Sequence, residues 1–330
     1  MRRPSSSVLV VIIGAVLGAP ALMGQAGSVA SKRSAARAEA APGPRALDGY
    51  WTNATFIPLE RPEEFAGKAE LTDAEAIAYQ KKRELQENSQ AKDDIHYDNV
   101  LWQSESYSKG VADRRTSLIF DPADGKIPPL SAQGQRAAAA RADAARNRGQ
   151  ADAAEFRSLG ERCISWGNDG PPMLGATYGN NLHIVQNGST VVVRHELMRA
   201  VRVIPIDGSP HVGPKLRLLN GDPRGHWEGD TLVVDTTNFS DRTPFRGPPA
   251  TTRAGIFSSN QMHVVERFTR VDGNTIRYRF TVDDPATWVR PWSGELTLRK
   301  WEGPIYEYAC HEGNYGLAYI LSAARAEDKR

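Results

Sequence analysis

The chain has 330 residues, with 41 Lys and Arg against 39 Asp and Glu, and a formal net charge of +2. So small an excess, spread among acids, excludes the basic footprint of a nucleic-acid binder. The length allows one large domain or two ordinary ones, with a sizeable core in either case.

Arg2 and Arg3 precede an apolar run from Val8 to Met23, and small residues follow at 24–30. A positive start, a short apolar middle and small-residue endings predict a signal peptide over residues 1–30. The run is shorter than about 20 residues and is broken by Gly14, Gly18 and Pro20, which argues against a retained anchor. The expectation is a periplasmic or secreted protein with no stable membrane span after signal cleavage. Residues 31–46, rich in Ala, Arg and Pro, read as a flexible leader. Residues 47–330 then form a single β-rich domain with helical insertions at 72–88 and 131–158. In an exported protein the two cysteines, Cys163 and Cys310, suggest a disulfide. It would close a loop of nearly 150 residues, an effect of about 5 kcal/mol in the chain-entropy picture. The alternative is a Cys–His metal site, since His311 adjoins Cys310, but C-x-x-C spacing is lacking and no metal ligands are assigned.

Asp48–Phe56 alternates aromatic and polar residues and predicts the first strand. Thr72-Asp-Ala-Glu-Ala starts a helix with a cap and early acids. The Asp93–Lys109 region is irregular, with Trp102 and Tyr107 as anchors. Thr116–Phe120 is a short strand ended by Asp121-Pro-Ala-Asp-Gly125. From Ser131 to Ser158 the chain is rich in Ala and Arg, and reads as a solvated helix hinged near Gly149. Beyond Cys163, strand-like runs recur about every ten residues, joined by turns such as Gln186-Asn-Gly-Ser189 and Val271-Asp-Gly-Asn274. With no helices between them, they predict a mainly β fold: an antiparallel meander closing into a lipocalin-like barrel with peripheral helices, or else a β-sandwich. Leu317, Ile320, Leu321 and Ala324 at helical spacing predict a C-terminal helix leaning on the barrel.

Motif matching excludes several chemistries. There is no G-x-S-x-G, no P-loop and no dinucleotide fingerprint, so no cofactor is named. His195-Glu-Leu-Met-Arg199 has Arg where H-E-x-x-H needs a second histidine. Ser106-Tyr-Ser-Lys109 matches S-x-x-K without its companion motifs.

Strand parity locates the candidates, because successive side chains face opposite sides of a sheet. Val264, Glu266 and Phe268 share a face, as do Ile276, Tyr278, Phe280 and Val282. Glu266 therefore points inward, where a carboxylate must be paired or act as an acid or base. A salt bridge to an inward arginine such as Arg202 or Arg290 is the structural alternative. His226 and Glu228 point the same way before a tight turn, a pairing able to tune a base. Asp235 follows on the next strand. Trp288, Arg290 and Trp292 lie in a proline-fixed loop that, with Tyr278, could hold a planar or sugar-like ligand. His311, Glu312, Asn314 and Tyr315 crowd the exit of the last strand as a second possible site wall.

Thr116–Leu130, Gly225–Phe239, Arg290-Pro-Trp292 and Tyr306–Tyr315 together make the chain resemble a family of exported proteins common in soil bacteria, with no established activity. The resemblance spans nearly the whole mature chain and implies export but no mechanism. Such sequences often carry His at the position of Arg199.

Two functions are expected. One is an acid–base hydrolase or lyase acting on a small organic or sugar-like substrate, with Glu266 as acid or base, His226 or His311 as its partner and Arg290 as anion anchor. The other is a non-catalytic module holding an apolar or aromatic small molecule between Trp288, Trp292 and Tyr278.

Overall fold

The computed structural model describes residues 45–88, 113–146, 149, 151–165, 170–175, 179–241 and 259–327. All belong to one compact unit, Ala41–Arg330. The expected signal segment, nearly all of the expected leader, and the Asp93–Lys109 region with Trp102, Tyr107 and the S-x-x-K match lie outside the described residues.

Ten strands form: β1 (Gly49–Thr52), β2 (Ile119–Asp121), β3 (Asn181–Gln186), β4 (Thr190–His195), β5 (Val201–Pro205), β6 (Asp222–Glu228), β7 (Thr231–Thr237), β8 (His263–Arg270), β9 (Thr275–Asp283) and β10 (Trp292–Lys300). They build a nearly closed, barrel-like sheet in the order β5-β4-β3-β1-β10-β9-β8-β7-β6, with β2 paired to the start of β10. Each adjacent pair is antiparallel. The meander is not continuous. It runs through β3–β5 and again through β6–β10, and the early strand β1 is inserted to join the two halves.

An odd number of strands has a geometric consequence. Alternating direction across nine strands leaves β5 and β6 running the same way at the seam. Parallel neighbours cannot be joined by a tight turn and need a crossover of a dozen or so residues. Residues 206–221 are that crossover. No ladder joins β5 to β6 among the described residues, so side chains close the seam. A Cβ on Gly225 of β6 would meet Ile206 Cγ2 at 2.7 Å and Ile204 Cγ2 at 3.0 Å, so only glycine lets β6 approach this closely.

Inside the barrel, strand parity is obeyed. Leu182, Ile184, Val191, Val193, Ile204, Leu232, Val234, Val264, Phe268 and Leu296 are all buried, each contributing roughly 1.5–3 kcal/mol. Arg202 of β5 reaches across the interior to Glu266 of β8 and is held bidentately: Nη1 donates to Oε1 at 2.9 Å, and Nη2 donates to Oε2. This ion pair spans the seam that lacks a hydrogen-bond ladder. At the end of the barrel where β8 meets β9, Arg270 lies 5.3 Å over the Trp51 ring and donates to the backbone oxygens of Ala46, Asp272 and Gly273. Leu47 is wholly buried, and its carbonyl accepts a hydrogen bond from Trp51 Nε1 at 2.9 Å.

The helices are peripheral. α1 (Asp73–Asn88) begins with a reciprocal capping box: the Glu75 amide donates to Thr72 Oγ1 at 3.3 Å and the Thr72 amide to Glu75 Oε2 at 2.8 Å. α2 (Ala132–Arg146) is anchored at its start, where Ser131 Oγ donates to Ala286 O. A Cβ on Gly134 would meet Thr287 O at 2.3 Å. α3 (Gly316–Glu327) forms where the periodicity places it, but it buries no residue, and Ile320 is 41% exposed. Of its apolar stripe, Leu317, Leu321 and Ala324 are half-buried, and none enters the barrel core. The disulfide Cys163–Cys310 is formed across a separation of 147 residues. With no membrane-crossing helix among the described residues, it is compatible with an exported protein.

The ion pair yields a stability prediction. Arg202→Met alone should cost about 3–5 kcal/mol by stranding the Glu266 charge in the interior. The double variant Arg202→Met/Glu266→Leu should cost less than either single change when unfolding is followed in urea. A double variant at least as unstable as the worse single one would refute it.

Candidate functional site

Glu266 is wholly buried, and its oxygens are occupied. Besides Arg202, Tyr278 Oη donates to Oε1 at 2.7 Å, and the Met173 amide donates to the same hydroxyl at 2.9 Å. Burial, then the Glu266 charge, pushes the Tyr278 phenol well above its ordinary range. His195 of β4 shares this interior and is 1% exposed. Burial first, then the Arg202 charge, pushes its pKa down to about 3, so it is neutral at pH 7. His195 Nε2 and Arg202 Nε have no hydrogen-bond partner among the described residues.

The expected partners do not reach Glu266. His226 lies on the opposite face of the sheet, exposed, with Nε2 at 3.2 Å from Glu228 Oε1. Glu228 also accepts from Arg267 Nη2 at 2.6 Å. His226 and Glu228 do pair, but on the outer wall. His311, Glu312 and Tyr315 are exposed beside the disulfide, where Asn314 Nδ2 donates to Glu161 O at 3.2 Å. Trp288, Trp292 and Tyr278 are buried against other aromatics. The Trp288 and Trp292 ring centroids are 6.0 Å apart, and Trp292 stands edge-on to Phe280 at 5.7 Å. Arg290 is exposed and pairs with Asp121 at 2.6 Å. His195-Glu-Leu-Met-Arg199 is strand end and tight turn, with Met198 and Arg199 at positive φ and Arg199 paired to Glu307 at 2.8 Å.

The structure assembles a different polar array on the outer wall, at the end of the barrel where β6 begins, β7 ends and β8 begins. Asp235 of β7 stands at its centre. Its Oδ1 is 2.9 Å from His211 Nε2 and its Oδ2 is 2.6 Å from His263 Nε2. His211 Nδ1 lies 3.0 Å from Asp222 Oδ2, which also accepts the Val212 amide at 2.8 Å, and Arg224 Nη1 donates to Asp222 Oδ1 at 2.6 Å. The result is a chain Asp222–His211–Asp235–His263 running from a buried carboxylate to a half-exposed imidazole. Burial pushes the Asp222 carboxyl up, but the Val212 amide, His211 and Arg224 outweigh it and hold it below the usual carboxylate range.

Local sequence fixes this geometry. Gly221 adopts φ +70° where a Cβ would meet Thr236 Cγ2 at 2.6 Å and Thr237 O at 2.7 Å. Only glycine turns the crossover into β6 there, and Asp222 follows immediately. Asn238, at φ 57°, ends β7 and donates from Nδ2 to Val212 O at 2.9 Å. Arg224 Nε donates to Pro210 O at 2.8 Å. These two bonds clamp Pro210–Val212 against β6 and β7, so His211 arrives on Asp235. With both His211 nitrogens facing carboxylate oxygens, a proton on each is satisfied. His263 differs: if Nε2 carries the proton and donates it to Asp235, Nδ1 is left with no bonding partner among the described residues. That tautomer leaves Nδ1 as an open proton acceptor. Among the described residues, no three His, Cys, Asp or Glu side chains are arranged to hold a metal ion.

Of this array the sequence singled out Asp235 alone. The outward parity of His263 was legible, but nothing local tied it to Asp235. His211 sits in a stretch without period, and its placement depends on the crossover.

Two titrations follow. The folded-state pKa of Asp222 is depressed, so its contribution is present above the unfolded value near 3.9 and is lost as pH falls through the folded one. The stability gap between wild type and Asp222→Asn should therefore be full at neutral pH and narrow below about pH 4; a gap that widens in acid refutes the assignment. The folded-state pKa of His195 is also depressed, so the unfolded chain binds the extra proton and stability falls as pH drops from about 6.5 toward 3. His195→Leu should flatten that slope in pH-dependent urea melts. Comparison of the chain with protein-family models, with curated proteins and with solved structures returns no match in any of the three.

Proposed function

We propose that this protein is an exported acid–base enzyme, a hydrolase or lyase for a small organic or sugar-like substrate, working on the outer wall of the barrel rather than inside it. The observation that carries the reading is the 2.6 Å contact between His263 Nε2 and Asp235, which leaves Nδ1 unbonded on a half-exposed ring. In this reading Asp235 fixes the tautomer, and His263 Nδ1 takes the proton from a water molecule or from an acidic position of the substrate. His211 and Asp222 hold Asp235 in place from behind. Glu266, with both oxygens occupied by Arg202 and Tyr278, has the structural role.

The second reading, a binding module for an apolar or aromatic molecule, is less favoured by the buried aromatics. Trp288, Trp292 and Tyr278 are at most 1% exposed, so a ligand there would have to displace core packing.

A panel of chromogenic esters and glycosides, with absorbance detection of unsaturated products for elimination, tests the proposal. On whichever substrate turns over, His263→Gln should lower kcat/KM by about 10²–10⁴-fold, the range of a lost general base. Asp235→Asn should also lower it, with the melting temperature of both variants little changed. Glu266→Gln should instead destabilise the fold. Turnover that survives His263→Gln and disappears in folded Glu266→Gln would return the chemistry to the barrel interior.

A further inference from the structure

The crossover that delivers His211 has a second character that the proton chemistry does not use. Between Gly208 and Gly221 it contains no acidic residue, and its tip reads Lys215-Leu-Arg-Leu-Leu219. All five side chains are exposed; Leu216 is 52%, Leu218 40% and Leu219 38% accessible. Three leucines within four residues, left in water on one tip, are a different matter from scattered apolar residues, which surfaces tolerate freely.

The tip is held in this pose. The Leu218 amide donates to Asn238 O at 2.9 Å, the Ser240 amide returns to Leu218 O at 2.9 Å, and the Gly221 amide closes on Leu218 O at 3.2 Å. The Leu216 amide bonds Gly213 O at 3.0 Å, and Arg217 Nη1 donates to Asn260 O at 2.8 Å. Arg217 is thus tied to a neutral carbonyl rather than to a carboxylate, and Lys215 is in no ion pair among the described residues. Asp241, exposed just past Ser240, offsets only part of this. A backbone pinned to the chain just past β7 presents the leucines without the ordering cost a free loop would incur on binding.

We propose that Lys215–Leu219 is an interfacial docking tip through which the protein sits on an anionic phospholipid surface. The leucines enter the headgroup boundary while Lys215 and Arg217 meet the lipid charge. Basic residues interleaved with apolar ones fit this occupant better than a neutral or cationic one. The proposal goes beyond the acid–base reading and stands without it. Because His211 lies four residues before Lys215 on the same segment, docking would also bring the outer-wall array close to the lipid surface.

Hydrogen–deuterium exchange of the full chain, with and without vesicles, tests it. Local readout matters because the apolar run Val8–Met23 can itself bind lipid. With vesicles of phosphatidylglycerol and phosphatidylcholine in equal parts, exchange across 213–219 should slow by about tenfold, and with phosphatidylcholine alone it should slow far less. Leu216→Ser/Leu218→Ser/Leu219→Ser should abolish the protection. Lys215→Glu/Arg217→Glu, which leaves the leucines and the core intact, should abolish its dependence on anionic lipid. Protection confined to residues 8–23, or equal protection in wild type and in the charge-reversed variant, overturns the proposal. So does protection of 213–219 that rises with protein concentration in the absence of vesicles, which would assign the tip to a second copy of the chain.

Discussion

A sheet of nine strands with every neighbour antiparallel cannot close on itself in the same pattern, because its first and last strands point the same way. That parity constraint organises the molecule. It denies β5 and β6 a tight turn like those joining β3 to β4, β6 to β7 and β8 to β9, and it forces residues 206–221 to climb the outside of the wall before β6 begins. It also leaves the seam to side chains. Ile204 and Ile206 settle over the bare backbone of Gly225, and the Arg202–Glu266 pair ties β5 to β8 through the interior. A buried ion pair adds little net stability over an apolar pair of the same shape, but it is selective about which residues may face one another. Here it opposes any slippage of β5 along the seam, where no backbone ladder sets the register.

The same crossover links closure to the proposed chemistry. His211 reaches Asp222 and Asp235 because the returning chain lies along β6 and β7, clamped by Asn238 and Arg224. The interior and exterior polar groups therefore divide the work. Inside, each charge is compensated and sealed from water. Outside, Asp222 is 5% exposed and fixed by three partners, while His263 at the far end of the chain remains open to solvent. Rigidity at one end and access at the other is what a proton-transferring group requires.

Much of the barrel was legible in the sequence, because alternation of apolar and polar residues is a local signal. Glu266 among Val264 and Phe268 could be placed inside from parity alone. Its partner was legible only as one of two arginines, since Arg202 and Glu266 meet through the closing of the sheet. The insertion of β1 between β3 and β10 carries no local mark either. Alternation also misleads where the backbone leaves the pleat. Extending β7 through Phe239 places that ring with Asp235 on the outside, whereas the left-handed turn at Asn238 brings it inside, 2% exposed. At the C-terminus, the spacing of Leu317, Ile320, Leu321 and Ala324 specifies a helix correctly, because periodicity reports the helix's own geometry and not what its stripe packs on. His211 was missed for a related reason: Ser-Pro-His-Val-Gly-Pro has no period, and only the path of the chain gives it neighbours.

The linkage between Cys163 and Cys310 bears on how the chain matures. The second thiol comes 147 residues after the first, behind every strand of the sheet, so the bond cannot guide early folding and can only lock what has already assembled. During vectorial synthesis Cys163 waits unpaired until the last strand has emerged. With no third cysteine in the chain, an oxidising compartment can make no wrong intramolecular bridge meanwhile. Maturation then needs an oxidant but no disulfide shuffling.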